Sequence, residues 1–352
     1  MPESPRPLVT VIMPVRDEEA YLERSLGAGL DQSYGLDRLE ILLVDGRSKD
    51  RTRQLAVELA EARGADLRII DNPEQTAPFA MNAGLRQARG QILVRVDGHC
   101  EIGPAYVENA VRRLMAREAD GVGGPLETIG ETRTARAIAA AMSSKFGVGG
   151  VAFRTAGAGE PDREVDTVAF PAYRRDVVAR AGAFDVELKR NQDDEYNYRL
   201  RKLGARLLLA GDMPARYYSR GTYRSLARQY FQYGVFKVRV LQKHPRQMRP
   251  RQFVPLLFVL ALLAAAVALP VLGVWPVLAV AGPYALANLG ASVLTAADGG
   301  WGLLPRLPLA FALLHLGYGV GFLVGLVRFA TRWGDGQGKT PPLPGGWAEG
   351  AS

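Results

Sequence analysis

The chain of 352 residues contains one cysteine, Cys100, so an intrachain disulfide is excluded. A zinc site on Cys100 and the adjacent His99 would lack the further spaced ligands that such sites use. A reducing compartment therefore fits the cysteine usage. The opening residues 1–7 are polar and contain no signal peptide, so we expect the soluble part of the protein to stay in the cytoplasm.

Acidic residues are missing from a long stretch, since no Asp or Glu lies between Asp212 and Asp298. The net charge of +8 is concentrated just before an apolar region. A basic stretch in that position attracts anionic lipid, at about 1 kcal/mol per charge near the surface. A charge run can also be a solvated face, but this location favours a membrane and not a nucleic acid as partner. The ten basic residues are Arg216, Arg220, Arg224, Arg228, Lys237, Arg239, Lys243, Arg246, Arg249 and Arg251.

Charge of either sign is nearly absent from 253–329, which contains three apolar segments at 253–272, 274–294 and 307–327. Each is close to the ~20 residues that a membrane-spanning helix needs. A buried core helix would be shorter and would carry a polar face. The sequence therefore predicts membrane-spanning helices in the C-terminal part of the chain.

The orientation of these segments is ambiguous. Arg246, Arg249 and Arg251 place the start of the first segment on the cytoplasmic side, because basic residues flank spans on that side. Three crossings would then place Arg328, Arg332 and Lys339 outside, against the same rule. Either one segment is interfacial or re-entrant, or the rule fails here.

The first hundred residues alternate apolar, β-branched runs with helical spacing. We predict strands at 8–14, 39–45, 67–71 and 91–96. Helices are predicted at 17–30, 48–63 and 77–88, with Ser48 as a candidate N-cap. This alternation predicts an α/β fold with a mostly parallel sheet and helices on both faces.

Ligands of such sheets bind beyond the carboxyl ends of the strands. Pro14, Asp45, Asp71 and Asp97 each close one predicted strand, so they point to one crevice. Asp45 begins a polar turn that either caps the next helix or accepts hydrogen bonds from a base or ribose. Asn82, in the third helical stretch, could face the same crevice.

The middle of the chain is less regular. We predict a helix at 104–118, a turn or short strand at 121–125, and an irregular acceptor-side loop at 130–165. A strand at 165–174 and a short helix at 176–181 follow. Later, 222–243 interleaves aromatic with basic side chains. Such a segment is either an amphipathic helix in the headgroup region or a core-packing helix of the soluble domain, and it could be both.

Two acidic clusters carry the chemistry. In Asp97-Gly-His99, two side chains spaced i, i+2 at a strand end reach one ion if the backbone turns at Gly98. Carboxylate with imidazole suits Mn²⁺ or Mg²⁺ on a diphosphate. The second cluster, Asp193-Asp194-Glu195, opens a helical stretch, and a carboxylate there can act as a base toward an incoming hydroxyl.

Five segments together resemble family 2 glycosyltransferases. Residues 9–19 resemble the opening strand, whose usual form ends Pro-x-Tyr-Asn-Glu, and 43–52 resemble Val-Asp-Asp-Gly-Ser-x-Asp-x-Thr. Residues 80–84 resemble Ala-x-Asn-x-Gly. Asp97-Gly-His99 stands at the D-x-D metal motif, with His in place of the second Asp. Residues 192–200 resemble Glu-Asp-x-Asp/Glu-x-x-x-Arg-Leu.

The resemblance spans about residues 8–240 and is strongest to exopolysaccharide glucosyltransferases of the succinoglycan type. It implies a glycosyltransferase A-type domain, a nucleotide-sugar donor, with UDP-sugar expected, and a lipid-linked glycan acceptor such as a polyprenyl-diphosphate glycan. Counting back from Arg199 assigns the catalytic base to Asp193, with Asp194 next.

The implied donor site places Pro14, Glu18, Asp45 and Asn82 on the nucleoside, and Asp97 on the diphosphate. Asp97 and His99 would hold the Mn²⁺ or Mg²⁺. Transfer would invert the anomeric carbon of the sugar. The enzyme would be a multi-pass protein of the inner (plasma) membrane with its catalytic domain in the cytoplasm.

The expected organisation has four parts: a catalytic domain at 1–212, a basic membrane-interface segment at 213–252, a transmembrane region at 253–329 and a flexible tail at 330–352. Two alternatives remain. A nucleotidyltransferase shares the sheet and the metal carboxylates but usually has a dense basic phosphate loop near its N-terminus. A catalytically inactive membrane assembly protein would not need the intact Asp45, Asp97 and Asp193.

Overall fold

The computed structural model describes residues 6–219, 221–336, 339–345 and 347. Residues 1–5, Arg220 and part of the predicted tail therefore lie outside the described residues. The chain forms two compact units. The first consists of the described residues of 1–127, 156–218 and 340–352, and the second of those of 128–155 and 219–339.

Among the residues that the structure describes, the strands belong to the first unit, apart from the second half of β7. In chain order the strands are β1 (Val9–Val15), β2 (Leu39–Asp45), β3 (Leu67–Asp71), β4 (Ile92–Arg95), β5 (Cys100–Ile102), β6 (Gly121–Gly123), β7 (Leu126–Ile129), β8 (Arg163–Glu164), β9 (Ala172–Arg174), β10 (Leu207–Leu209) and β11 (Ala215–Tyr218).

Helices occur in both units. In chain order they are α1 (Glu19–Leu30), α2 (Thr52–Glu61), α3 (Ala77–Gln87), α4 (Tyr106–Met115), α5 (Arg133–Ser143), α6 (Lys145–Val148), α7 (Ala152–Thr155), α8 (Arg175–Ala181), α9 (Gln192–Lys202), α10 (Tyr223–Lys243), α11 (Val254–Leu272), α12 (Trp275–Gly299) and α13 (Leu307–Arg328). Short 3₁₀ turns lie at Leu36–Arg38, Pro245–Gln247, Pro250–Gln252, Trp301–Leu303 and Ala330–Arg332.

The main sheet has eight strands in the order β3-β2-β1-β4-β9-β6-β10-β8, and β5-β11-β7 form a second, three-stranded sheet. In the main sheet, β3, β2, β1 and β4 lie side by side, and each pair of neighbours is parallel. Strands β9 and β8 are antiparallel to the strands beside them. The mostly parallel α/β sheet predicted from the alternating pattern is therefore confirmed. Six strands share one direction, so their carboxyl ends meet at one edge.

The central strands are hydrophobic because both faces of the sheet are covered. Every residue of β2 is buried, and β1 is buried except for the half-buried Pro14. On one face, Ile12 and Leu42 pack with Met81 and Leu85 of α3. Side chains on either face of these strands are thus buried. This explains why the strands are near-continuous apolar runs in the sequence.

Two local predictions were wrong. Ser48 does not cap a helix: α2 begins at Thr52, and the Ser48 hydroxyl bonds to the Asp45 carboxylate instead. The predicted strand at 165–174 is reduced to β9, because Pro171 interrupts the pattern immediately before Ala172.

The second unit is helical. Segment 130–165, predicted as an irregular loop, instead contains α5, α6 and α7. Small apolar side chains of α5, among them Ala137 and Ala141, pack against Phe311 and Leu314 of α13. The prediction of a loop was wrong because the Gly and Ala residues of this segment allow close helix packing. The tertiary contacts of these residues show this, and their local pattern does not.

Three helices are long and apolar enough to cross a membrane: α11, α12 and α13. They match the three apolar segments of the sequence, although α12 continues to Gly299, beyond the predicted end at 294. Helix α10 matches the predicted amphipathic segment 222–243 and packs its Val235 and Val238 against Phe322 of α13. The helix thus packs against a candidate membrane helix of the second unit, and not into the core of the soluble domain as the core-packing alternative expected.

Candidate active site

The site is built where β1, β2 and β4 end side by side. Val15 at the end of β1 pairs with Asp45 at the end of β2. The loop after β4 joins the same edge, because the Gly98 amide donates to the carbonyl of Pro14 at 3.4 Å. The loops after three parallel strands are thereby held together at the edge where ligands of such sheets bind.

Asp97 is bound at two points by Arg95, the last residue of β4. Nε and Nη2 of Arg95 donate to the two carboxylate oxygens of Asp97 at 2.8 and 3.2 Å. Only 9% of the Arg95 side chain and 21% of the Asp97 side chain are exposed. Burial opposes the ionisation of Asp97, but the Arg95 guanidinium outweighs burial and lowers the pKa of the carboxyl below its ordinary value.

His99 is held by Glu18 from the loop after β1. Nδ1 of His99 lies 2.9 Å from Oε1 of Glu18. Gly98 allows this approach, since a side chain there would begin 2.9 Å from Cγ of Glu18 and from Cγ1 of Val15. Among the described residues, Nε2 of His99 has no hydrogen-bond partner, so that this nitrogen can take a ligand. Glu18, Asp97 and His99 thus lie in one cluster.

Asp193 lies in the electric field of the same arginine. Burial disfavours the charge of Arg95, yet the carboxylates of Asp97 and then Asp193 outweigh it and raise the pKa of the guanidinium. Asp193 is exposed at the start of α9, and one of its oxygens accepts the amide of Asp194 at 2.9 Å. Asp194 is half-buried. The exposed carboxylate near Arg95 is therefore Asp193, which agrees with the position counted from Arg199.

The helix bearing Asp193 is anchored by buried polar contacts. Arg199 forms a buried ion pair with Glu195 at 2.6 Å and donates to the carbonyls of Ala181 and Ala183. Two residues before Arg199, the side-chain amide nitrogen of Asn197 donates to the Thr167 hydroxyl at 2.8 Å. These contacts fix the rotation of α9 about its own axis.

Two predicted nucleoside residues already have protein partners. Asp45 is fully buried and accepts bonds from the Ser48 hydroxyl at 2.5 Å and from Nη1 of Arg53 at 3.1 Å. The same Arg53 nitrogen contacts Asp71. Asn82 donates to and accepts from the backbone of Phe184, at 2.9 and 2.8 Å. The structure thus shows the Asn82 side chain bonded to the backbone of Phe184.

Aromatic side chains that the sequence alone did not single out lie beside His99. The Tyr217 ring meets the His99 ring edge-on, with centroids 4.9 Å apart, and Phe170 stacks on Tyr217 at 6.5 Å. Phe170 adopts a φ of +44°, which is rare for a bulky residue and is found where surrounding structure imposes it. Arg95 was also missed, although a charge inside an apolar strand run signals a buried partner.

The residues present fit a divalent ion shared with a diphosphate. Within the described part of the chain, no group of three or more His, Cys, Asp and Glu side chains is arranged as a metal site. Mg²⁺ and related ions, however, usually bind through one or two protein ligands plus substrate phosphates. Asp97 and His99 supply such a partial set, with a carboxylate and an imidazole that suit Mn²⁺.

An α/β domain with a metal-type Asp-x-His loop at its strand ends and an acidic helix start is the architecture of a glycosyltransferase A-type enzyme. The structure is similar to that of the mannosyltransferase PcManGT from Pyrobaculum calidifontis, solved with GDP-Man and Mn²⁺. The similarity covers 90% of this chain and 87% of that one, with a TM-score of 0.56 at 22% identity. This likeness supports the fold.

Residues 10–181 match the family model described as Glycosyl transferase family 2. This match covers just under half of the chain and shows that residues 10–181 are similar to family 2 glycosyltransferases; together with the relatives it supports a glycosyltransferase. The chain is 28% identical to the succinoglycan biosynthesis protein ExoA of Rhizobium meliloti (strain 1021) over 324 residues, which are 92% of this chain and 96% of that protein.

A second relative comes from Methanococcus voltae. It is a dolichyl N-acetyl-alpha-D-glucosaminyl phosphate 3-beta-D-2,3-diacetamido-2,3-dideoxy-beta-D-glucuronosyltransferase, 27% identical over 242 residues, which cover 67% of this chain and 74% of that protein. The relatives thus act in polysaccharide and lipid-linked glycan biosynthesis, and the resemblance inferred from the sequence motifs is confirmed.

Proposed function

We propose that this protein is an inverting glycosyltransferase that moves a sugar from a nucleotide sugar to a lipid-linked glycan acceptor in polysaccharide biosynthesis. The observation that carries the proposal is Arg95. This buried arginine is bonded to Asp97 and lies in the field of Asp193, which supports one shared site for the two proposed functional carboxylates.

Asp193 is the base in this proposal. Its carboxylate takes the proton of the acceptor hydroxyl while the hydroxyl oxygen attacks the anomeric carbon. The bond from that carbon to the donor diphosphate breaks, and its electron pair leaves with the nucleoside diphosphate. Attack opposite the leaving group inverts the carbon. One base suffices, unlike the carboxylate pairs of glycosidases.

Asp97 and His99 would hold Mn²⁺ or Mg²⁺, which would offset the negative charge that grows on the leaving diphosphate. Glu18 orients the imidazole through Nδ1, so Nε2 is the nitrogen offered to the ion. Arg95 holds the Asp97 carboxylate in place. The site therefore needs little rearrangement to receive a diphosphate.

The nucleoside would lie against Pro14, Glu18, Asp45 and Asn82. Asp45 is prepositioned by Ser48 and Arg53. A UDP-sugar is the proposed donor, on the resemblance to exopolysaccharide glucosyltransferases. A GDP-sugar is the alternative, because the mannosyltransferase of similar fold was solved with GDP-Man.

The acceptor would be a polyprenyl-diphosphate-linked or other lipid-linked glycan, and the location the inner (plasma) membrane with the catalytic domain in the cytoplasm. Three apolar helices and the basic residues before them support both. We accordingly propose residues 1–212 as the catalytic domain, 213–252 as the membrane-interface segment, 253–329 as the transmembrane region and 330–352 as the tail.

The direct test uses the full chain in lipid nanodiscs with Mn²⁺. A panel of UDP- and GDP-sugars is screened by thermal shift, and each stabilising donor is incubated with lipid-linked glycans. Sugar transfer with release of a nucleoside diphosphate is the expected result. Release of inorganic diphosphate would instead identify a nucleotidyltransferase. Absence of both transfer and hydrolysis for every donor would favour an inactive assembly protein.

A further inference from the structure

We infer that the chain crosses the membrane twice, through α11 and α12, and that α13 does not cross it. Helix α13 would lie at the membrane surface beside α10. The inference rests on the proposed membrane location but not on catalysis. It settles the conflict in charge distribution that three crossings create.

The first argument is that the chain returns to the first unit after α13. The carbonyl of Pro341 accepts the backbone amide of Ala183 at 3.1 Å. The guanidinium carbon of Arg175 lies 4.1 Å from the centre of the Trp347 ring, which also packs against the core cluster that contains Phe184.

These contacts join segments from both sides of the apolar region. Ala183 and Arg175 precede α11, whereas Pro341 and Trp347 follow α13. A folded α/β unit with a polar surface lies on one side of a bilayer. The number of crossings between Tyr218 and Thr340 is therefore even, and three apolar helices cannot all cross.

The second argument identifies α13 as the helix that does not cross. Gly317, Gly321 and Gly325 form a stripe along one face of α13, spaced four residues apart. A methyl group at any of them would approach or overlap a backbone carbonyl of α10, at Ala227, Phe231 and Val235 in turn. The residue numbers of these contacts increase together along α13 and α10. The two helices therefore run parallel, with their backbones in contact.

Helix α10 carries basic side chains along its whole length. They are Arg224, Arg228, Lys237, Arg239 and Lys243. If α13 crossed the hydrocarbon, the helix in contact with its backbone would be carried into it with these charges, which the bilayer centre strongly disfavours. At the membrane surface, in contrast, the exposed Arg224 and Arg228 meet anionic headgroups favourably, while Lys237, Arg239 and Lys243 stay buried in the helix packing.

The third argument is the location of the α13 contacts on the other two helices. At the start of α11, α13 touches the residue that precedes the helix: Phe253 and Phe322 have ring centroids 5.8 Å apart. On α12 it touches Asn288, whose side chain donates to the carbonyl of Pro308 at 3.0 Å, and reaches Tyr284, whose hydroxyl lies 3.0 Å from Nδ1 of His315. Helix α13 thus packs at the base of an α11–α12 hairpin.

The tip of this hairpin is left to lipid. Val267, Val271 and Trp275 are 80%, 84% and 74% exposed. No charged residue lies in 252–297, which includes the turn between α11 and α12. Two crossings place Arg251, Arg306 and Arg328 on one side, as the positive-inside rule requires.

Single-cysteine labelling tests this topology. Cys100 is fully buried, so the native chain supplies a low thiol background. Cysteines are introduced one at a time: Val274→Cys at the hairpin turn, Gly302→Cys after α12, Lys339→Cys after α13, and Glu61→Cys on α2 as the reference for the side of the first unit. A membrane-impermeant maleimide is applied to right-side-out and inside-out vesicles. The same variants in Cys100→Ser check that the native thiol does not contribute.

We expect the cysteines at 302 and 339 to label from the same side as that at 61, and the cysteine at 274 to label only from the opposite side. Labelling of the cysteine at 339 opposite to that at 61 would overturn the inference in favour of three crossings. Failure of the cysteine at 274 to label from the opposite side, with labelling after detergent, would overturn it in favour of a re-entrant hairpin. None of these outcomes depends on transferase activity, so they are separate from the test of the proposed function.

Discussion

Arg95 and Asp97 form a two-point ion pair at the end of β4, with contacts of 2.8 and 3.2 Å. Each oxygen of the proposed metal-binding carboxylate therefore accepts one bond from the guanidinium and keeps a lone pair for a further ligand. The arrangement keeps Asp97 ionised and oriented, but it also sets a positive charge beside a site for a divalent cation.

Arg95→Met should strengthen binding of Mn²⁺ to the nucleotide-free protein by about tenfold, because a repelling charge beside the ion is removed. Titration of Mn²⁺ followed by electron paramagnetic resonance measures this without any transfer reaction. Arg95→Lys, which keeps the charge, is the matched control and should bind Mn²⁺ as the native protein does. Weaker binding by the Met variant would mean that Arg95 supports the ligand geometry more than it repels the ion.

Asp193→Asn should lower kcat by about a thousandfold, since general-base catalysis contributes roughly 10²–10⁴. Binding of UDP with Mn²⁺ should be unchanged in calorimetry, because Asp193 touches the acceptor and not the nucleotide in the proposed arrangement. Asp194→Asn is the neighbouring control and should retain most activity. If the Asp194→Asn protein were the inactive one, the base would be the half-buried carboxylate instead.

His99→Ala should weaken UDP binding by about tenfold in the presence of Mn²⁺, corresponding to about 1.4 kcal/mol, and leave metal-free binding unaltered. Calorimetry with and without Mn²⁺ separates the metal-dependent part of the UDP affinity from the metal-independent part. His99→Asp restores a second carboxylate and should keep metal-dependent binding. Equal affinities for the native and Ala proteins in Mn²⁺ would remove His99 from the ligand set.

Arg199→Met should reduce the free energy of unfolding by about 3–5 kcal/mol, because it leaves the buried Glu195 carboxylate without its partner. Chemical denaturation of the detergent-solubilised protein measures this change. Arg201→Met is the control on the same helix. Arg201 is 30% exposed and pairs with Asp166 at 3.3 Å, so its loss should cost less than about 1 kcal/mol.

Glu40 should make stability depend on pH in the acid range. Its burial would raise the pKa, but bonds from Thr10 and the Arg89 amide, together with the Arg68 charge, outweigh burial and lower the pKa below 4.5. The folded state thus binds this proton less readily than the unfolded state. The stabilisation is complete above about pH 4.5 and is lost as the pH falls through the folded-state pKa.

Unfolding midpoints in urea between pH 7 and pH 3 measure this dependence. Glu40→Gln should lower stability at pH 7 and flatten the curve below about pH 4.5, since the amide does not titrate. Asp31→Asn is the control: Asp31 pairs with Arg63 at the surface, where its side chain is 62% exposed, and the curve should keep its shape. A Gln variant with an unchanged acid slope would place the pH dependence elsewhere.

Much of the first unit could be predicted from sequence because local pattern and tertiary structure agree there. Both ends of the strand at 39–45 were predicted correctly, and the ends of the strands predicted at 8–14 and 91–96 differ from the structure by one residue. Each is an apolar run closed by a polar residue or proline. The strand ends that carry Pro14, Asp45 and Asp97 were also predictable, since parallel strands bring their carboxyl ends to one edge.

Segment 130–165 shows where local pattern fails. Its glycines and alanines have weak or ambiguous propensity, and the helices form because Ala137, Ala141 and Gly147 allow close approach to α13. Asn82 is a similar case, because its amide is used by the distant backbone of Phe184. Contacts across a hundred residues leave no periodic signal in a single chain.

The sequence by itself determined the fold class, the family, the apolar segments and the types of residue available for metal binding and proton transfer, because periodicity, charge and motif order are local properties of a chain. Only the tertiary structure decided which groups meet: Arg95 with Asp97, Glu18 with His99, and the α13 glycines with α10. Burial makes the difference. A charge or a glycine has a defined role only once the fold sets what lies within a few ångströms of it.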